Sequence, residues 1–249
     1  MENLYEELYK KVNERNKILT DKKLTICPAI KGEGYEEGGI MFVGRAINSW
    51  CSLEESVGNG GIKNRIIACQ ECTLDWVVGE NNWKYCIAKN CPYALKENRL
   101  DGRKSTTSFW QMVKFICEKK GLGSKWYKKI IWSNLYKASY EFGGNPINFY
   151  NEQVGVCNEI LIKEIEKFKP KEIYFITERN ENCLELEKRT WFCKEYKGKY
   201  YDKNTHFGKV YDELAKKDIK VFVLMRPEFK NLEKVYKTKR DVVGNKVEL

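Results

Sequence analysis

Residues 132–148 read WSNLYKASYEFGGNPIN, and the chain runs on through an amphipathic stretch to FKP at 168–170 and KEIYFIT at 171–177. That order predicts a strand ending in polar Asn134, a turn at Gly143-Gly144-Asn145-Pro146, a helix, and a second buried strand. Upstream, GGIMFVGRAINSW at 38–50 predicts another strand that runs directly into a glycine turn. Downstream, KVFVLMRPEF at 220–229 predicts one more, ending at Arg226-Pro227. Strands that each end in polar residues would deliver those residues to one edge of a parallel sheet, where open α/β proteins bind ligands.

The rest of the chain fits around these strands. Leu4, Tyr5, Leu8, Val12 and Leu19 lie among charges and predict an amphipathic helix over 3–19. Ser105-Thr106-Thr107 would cap a helix carrying the stripe Phe109, Met112, Val113 and Ile116, closed by Gly121. Val154, Cys157, Leu161, Ile165 and Phe168 repeat at three and four residues, one buried face of a helix that Pro170 stops. The apolar runs 40–43, 130–135, 173–176 and 221–225 are the expected core strands. Residues 228–240 read as a final basic helix. The predicted fold is therefore α/β: a three-layer αβα sandwich around a mainly parallel, four-stranded sheet. Residues 51–105 break the alternation and read as a Cys-rich insertion in a single domain spanning 1–249.

At 249 residues and 42% hydrophobic content the chain can bury one substantial core. No apolar run approaches the ~20 residues that cross a bilayer, and charge begins at Glu2, so a cytoplasmic protein without a membrane role is expected. The formal net charge of +10, with lysine dense at 119–129, 188–203 and 230–246, favours a polyanionic partner, most simply nucleic acid. A lysine-rich solubilising surface is the plain alternative. No partner protein is implied, and a monomer is expected. The sequence contains no phosphate-binding Gly-x4-Gly-Lys-Ser/Thr loop, no Gly-x-Gly-x-x-Gly and no His-Glu-x-x-His, and His206 is its one histidine. Nucleotide hydrolysis on such a loop, dinucleotide chemistry, zinc proteolysis and a histidine-based triad lose their usual signatures.

Cys69-x2-Cys72-x13-Cys86-x4-Cys91 places two close cysteine pairs around a short loop. In a reducing compartment such pairs suit a four-thiolate site, with structural zinc ahead of an iron-sulfur cluster. Four buried, reduced thiols are the plain alternative.

Three constellations carry the functional expectation: Gly44-Arg45-Ala46-Ile47-Asn48-Ser49-Trp50; Asn134-Leu135-Tyr136-Lys137 with its downstream Gly144-Asn145-Pro146, Cys157, Pro170-Lys171 and Ile173; and Arg226-Pro227-Glu228. In that order they resemble the uracil-DNA glycosylase superfamily, and most nearly its iron-sulfur type. The resemblance covers 39–50 and 130–228 in patches. It implies base flipping followed by hydrolysis of an N-glycosidic bond. Gly44, Ala46, Trp50 and Asn134 would then hold the base, Trp50 by stacking and Asn134 by pairing amide donor and acceptor with the base edge. Asn48 would position water and Arg226 would stabilise the departing base or contact the adjacent phosphate, the two catalytic assignments; Arg45, Lys137, Lys230, Lys234 and Lys237 would contact DNA. Glu54 and Glu55 are alternative general bases. Arg45 stands where that type carries an acid, and Arg226 where the superfamily carries a histidine. The iron-sulfur type also has a cysteine pair before its first motif, whereas here all four cysteines follow it.

These departures turn the expectation away from plain uracil toward an uncommon or modified base, in repair or in defence against modified phage DNA. The rival expectation is a non-catalytic nucleic-acid-binding module of the same fold. Asn48, a cap in the plain reading, and Trp50, a core tryptophan, would suit that rival equally.

Overall fold

The computed structural model describes residues 1–19, 24–46, 62, 108–140, 147–178, 194–195, 214 and 217–225. The fold is mixed α/β with a mainly parallel sheet. Helix α1 (Glu2–Leu19) is followed by short strands β1 (Leu24–Ile26) and β2 (Ile30–Lys31) and by β3 (Ile40–Ala46). Further along the chain come α2 (Ser108–Lys119), β4 (Ile130–Tyr136), β5 (Ala138–Tyr140) and α3 (Tyr150–Phe168). Strands β6 (Glu172–Glu178), β7 (Lys194–Glu195) and β8 (Lys220–Met225) complete the described elements.

The six-stranded sheet has the order β2-β4-β3-β6-β8-β7. Its four inner strands are mutually parallel and occupy the four runs predicted from sequence. The expected four-stranded sheet is enlarged by antiparallel edge strands, β2 on β4 and β7 on β8. A separate two-stranded ladder pairs β1 with β5. Both kinds of addition are two or three residues long, too short to show a period in sequence.

Side chains alternate across the pleat, so each inner strand feeds two apolar clusters. Phe42, Ile130, Trp132, Tyr174, Ile176, Phe222 and Leu224 pack with Trp110, Val113, Ile116 and Cys117 of α2. Met41, Val43, Ile131, Ile173, Phe175, Val221 and Val223 pack with Leu161 and Ile165 of α3. In-register pairing puts Phe42, Tyr174 and Phe222 in a row, with ring centroids 5.2 and 4.7 Å apart and both contacts stacked. Each such contact adds about 0.5–1.5 kcal/mol beyond the area it buries.

Helix α3 is covered twice. Its Val156, Cys157 and Ile160 meet Tyr5, Leu8 and Val12 of α1 and the β1–β5 ladder. The predicted stripe on α3 was thus one face of a helix buried on two. Gly121 takes φ +70° beyond α2, where the Leu122 N–H donates to the Cys117 carbonyl at 3.0 Å, the expected glycine stop. At the end of α3, Lys169 itself adopts the left-handed conformation, φ 48°, its N–H bonded to the Ile165 carbonyl. Pro170 cannot continue the helix, so the turn falls on a lysine at a cost of about 1 kcal/mol.

Candidate functional site

The chain lays down β3, places β4 on one side of it, then crosses to β6 on the other side and continues to β8. The strand order therefore reverses between β3 and β6. In open α/β sheets the crevice beyond the carboxyl ends of such a pair is where ligands sit. Pairing of β3 with β6 stops at Val43↔Phe175, although β3 runs on to Ala46 and β6 to Glu178. On its other side β3 stays paired with β4 as far as Ala46↔Tyr136. The sheet thus splits at its carboxyl edge along the line of the reversal.

Gly44 lies on that line, in register with Asn134. The expectation of a sharp turn at Gly44 is corrected: β3 continues through Arg45 and Ala46. The glycine instead provides clearance. A Cβ at position 44 would stand 2.6 Å from Asn134 Oδ1 and 3.4 Å from Cε2 of Phe109 on α2. Asn134 is 1% exposed, and its Nδ2 has no hydrogen-bond partner among the described residues. A buried amide N–H without an acceptor costs about 1–3 kcal/mol. Such a donor, at the carboxyl edge of the sheet, needs an acceptor from beyond the described residues.

Arg45 turns to the α3 side. Its Nη2 donates to the Tyr150 hydroxyl at 3.2 Å, and its guanidinium carbon lies 5.3 Å from the Tyr150 ring centroid. Tyr150 in turn stacks on Tyr136, centroids 4.4 Å apart at 17°. Ala46 is half-buried against the α3-side cluster.

Lys137 is not where a DNA contact would need it. The side chain is 0% exposed, and its Nζ meets Glu164 Oε2 at 2.6 Å and the Ser133 hydroxyl. Glu164, itself 1% exposed, also accepts from Tyr5 Oη at 2.9 Å, the Ala29 N–H at 2.8 Å and Ser133 Oγ at 2.7 Å. The lysine is thus a buried ion-pair partner, and the expectation of a surface phosphate contact is corrected. The Lys137 N–H donates to Cys157 Sγ at 3.3 Å, and Gln153 Oε1 accepts from the Ala138 N–H at 3.1 Å. Burial pushes the Cys157 thiol up to about 12, against the downward pull of the Lys137 N–H and charge. Burial, then the charge and hydrogen bond of Glu164, raise the Tyr5 hydroxyl well above its ordinary value, so it remains a donor.

Sequence reasoning missed Tyr5, Ser133, Gln153 and Glu164 as a polar cluster. One signal was available: Glu164 falls three residues after Leu161 and four before Phe168, an acid on the apolar stripe. An acid there needs a buried partner. Ser133 and Lys137, both tied to Glu164, bracket Asn134 on β4 and fix the strand that carries it.

Of the four residues expected to line one pocket, Asn134 is described; Asn48, Trp50 and Arg226 lie outside the described residues. The same holds for Lys230, Lys234, Lys237, Glu54 and Glu55, and for Cys69, Cys72, Cys86 and Cys91. The cysteines that are described, Cys27, Cys117 and Cys157, are buried and not in disulfides. Among the described residues no helix is long and apolar enough to cross a membrane.

Compared with known proteins, the chain matches no family model, and no curated protein matches it significantly.

Proposed function

We propose that this protein is a DNA glycosylase-like enzyme that flips an uncommon or modified base from DNA and hydrolyses its N-glycosidic bond. The observation that carries the proposal is the buried Nδ2 of Asn134, without a partner among the described residues, at the carboxyl edge of the sheet beside the glycine that makes room for it. A carboxamide held this way can donate to a base carbonyl and reject a base that lacks an acceptor there. The basic charge of the chain and the order of its three motifs support the same reading.

In this mechanism the base leaves the stack, with Trp50 replacing the lost stacking and Asn134 reading its edge. Asn48 orients a water whose oxygen bonds to C1′ as the bond from C1′ to the base nitrogen breaks. The base departs with that electron pair, and Arg226 stabilises the negative charge; the water's proton passes to solvent and the base is protonated afterwards. A permanently cationic arginine can stabilise an anion but donates a proton poorly, which favours bases that leave well over plain uracil. The αβα three-layer arrangement belongs to this proposal, as does a single domain whose insertion is held by zinc on Cys69, Cys72, Cys86 and Cys91. Four thiolates suit zinc and would serve structure alone.

The test is incubation of the intact protein with duplex and single-stranded DNAs carrying different modified bases, scoring abasic sites. Excision from any of them that disappears in Asn134→Ala supports the proposal. DNA binding without excision from the whole panel would favour the non-catalytic module.

A further inference from the structure

We propose that Arg45 is a phosphate anchor of this site, held ready by Tyr150 and Tyr136. The inference rests on the nucleic-acid reading above and adds to it the side of the sheet along which the backbone passes.

Arg45 stands at the split carboxyl edge, between Gly44, in register with Asn134, and Ala46, in register with Tyr136. Its charge has no carboxylate neighbour among the described residues; its guanidinium meets the Tyr150 hydroxyl and ring. Several surface lysines, by contrast, have a carboxylate partner: Lys120 with Glu172 at 2.9 Å, Lys128 with Glu33 at 2.9 Å, and Lys169 with Glu37 at 3.1 Å. A guanidinium with no carboxylate beside it among the described residues, at the carboxyl edge of such a sheet, is suited to receive an anion.

The side chain is also pre-positioned. A guanidinium within ~6 Å of a tyrosine ring centroid is attracted to the ring face. The hydroxyl bond fixes its rotation, and the stack on Tyr136 fixes Tyr150 itself. One N–H of Arg45 is spent on Tyr150, which leaves donors in a planar fork that matches two phosphate oxygens. Holding the fork in place beforehand removes part of the ordering cost of binding.

Asn134, two residues on from Trp132, falls on the α2 side of the sheet, whereas Arg45 faces Tyr150 on the α3 side. The two therefore lie on opposite faces of the sheet, on the adjacent strands β4 and β3. A nucleotide bound across the edge would present its base to Asn134 and a phosphate to Arg45, so position and identity would be read on opposite faces of one sheet.

The experiment measures anisotropy of labelled single-stranded and duplex oligonucleotides with full-length wild type, Arg45→Gln, Arg45→Lys and Tyr150→Phe, across a salt series. Between about 50 and about 200 mM salt, wild-type affinity should fall about threefold more than that of Arg45→Gln, the counterion share of one phosphate. Arg45→Lys should keep the wild-type salt slope but bind several-fold more weakly, because lysine has no fork. Tyr150→Phe should do the same, because the charge remains while its orientation is lost. In parallel, pyrophosphate is titrated into 15N-labelled wild type while the Arg45 Nε–H resonance is followed, assigned by its loss in Arg45→Gln. If wild type binds DNA and Arg45→Gln matches it in affinity and slope, the anchor is overturned. If wild type binds no DNA but the Arg45 resonance moves with pyrophosphate, the nucleic-acid reading falls and the anion site stands. If neither responds, the anchor is overturned too.

Discussion

Gly44 and Asn134 face each other across parallel strands so closely that a methyl group on the first would sit 2.6 Å from the side-chain oxygen of the second. Glycine in a strand interior ordinarily weakens it by about 0.5–1 kcal/mol relative to alanine, so the position carries a cost that the asparagine explains. Gly44→Ala should destabilise the protein by about 1–3 kcal/mol through overpacking. In an Asn134→Ala background the same change should be neutral or stabilising. Urea unfolding of the four-member cycle measures this, and additive losses would remove Asn134 as the reason for the glycine.

Breaking the Lys137–Glu164 pair should be among the most damaging changes in the chain. Lys137→Met leaves a buried carboxylate without its cation and should cost about 3–5 kcal/mol. Lys137→Met combined with Glu164→Gln removes both charges, keeps an acceptor for Tyr5 and Ala29, and should recover part of that loss. A double variant as unstable as the summed singles would show that the two charges are not coupled.

Alkaline pH should destabilise the protein in part through the buried thiol of Cys157. The folded value for Cys157, about 12, lies above the ordinary thiol value of about 9. Its contribution is therefore intact below about pH 9 and is lost as pH rises from there toward about 12, since the unfolded thiol ionises first. The Tyr5 hydroxyl acts in the same direction at higher pH. In Cys157→Ala the decline of stability with pH should be shallower, whatever its stability at neutral pH. Equal slopes would exclude this thiol as a source.

For the insertion, elemental analysis should find one zinc per chain, lost together with the thiolates in a Cys69→Ser, Cys72→Ser variant. Iron with visible absorbance would point to a cluster instead. Metal-free protein with four alkylatable thiols would remove the site.

For the chemistry, Asn48→Ala should reduce excision far more than DNA binding, because orienting water matters in the transition state. Lys230→Gln with Lys234→Gln and Lys237→Gln should weaken binding and flatten its salt dependence. If Asn48→Ala excises normally, Glu54 and Glu55 become the residues to replace.

The inner strands were legible because burial on both faces makes them continuous apolar runs, as in IMFV at 40–43 and IYFI at 173–176. Strand ends were less legible. Gly44 looked like a turn because glycine ordinarily breaks a pattern; its real reason, the carboxamide of Asn134, comes from a strand some ninety residues away. Lys137 looked like a phosphate contact because lysine is nearly always exposed. Its burial depends on Glu164, which is 27 residues further on and on another element. Arg45 was singled out by position, but its dependence on Tyr150, at a separation of 105 residues, leaves no trace in local spacing.

Tyr5 and Glu164 are separated by 159 residues and joined by one hydrogen bond in the core. During synthesis at roughly 5–20 residues per second, α1 therefore waits on the order of 8–30 s before α3 exists to receive it. Through that interval Tyr5, Leu8 and Val12 lack the surface that Val156, Cys157 and Ile160 supply. Helix α1 is thus made well before the helix it packs on, and the nascent chain carries its apolar face only partly covered until α3 follows.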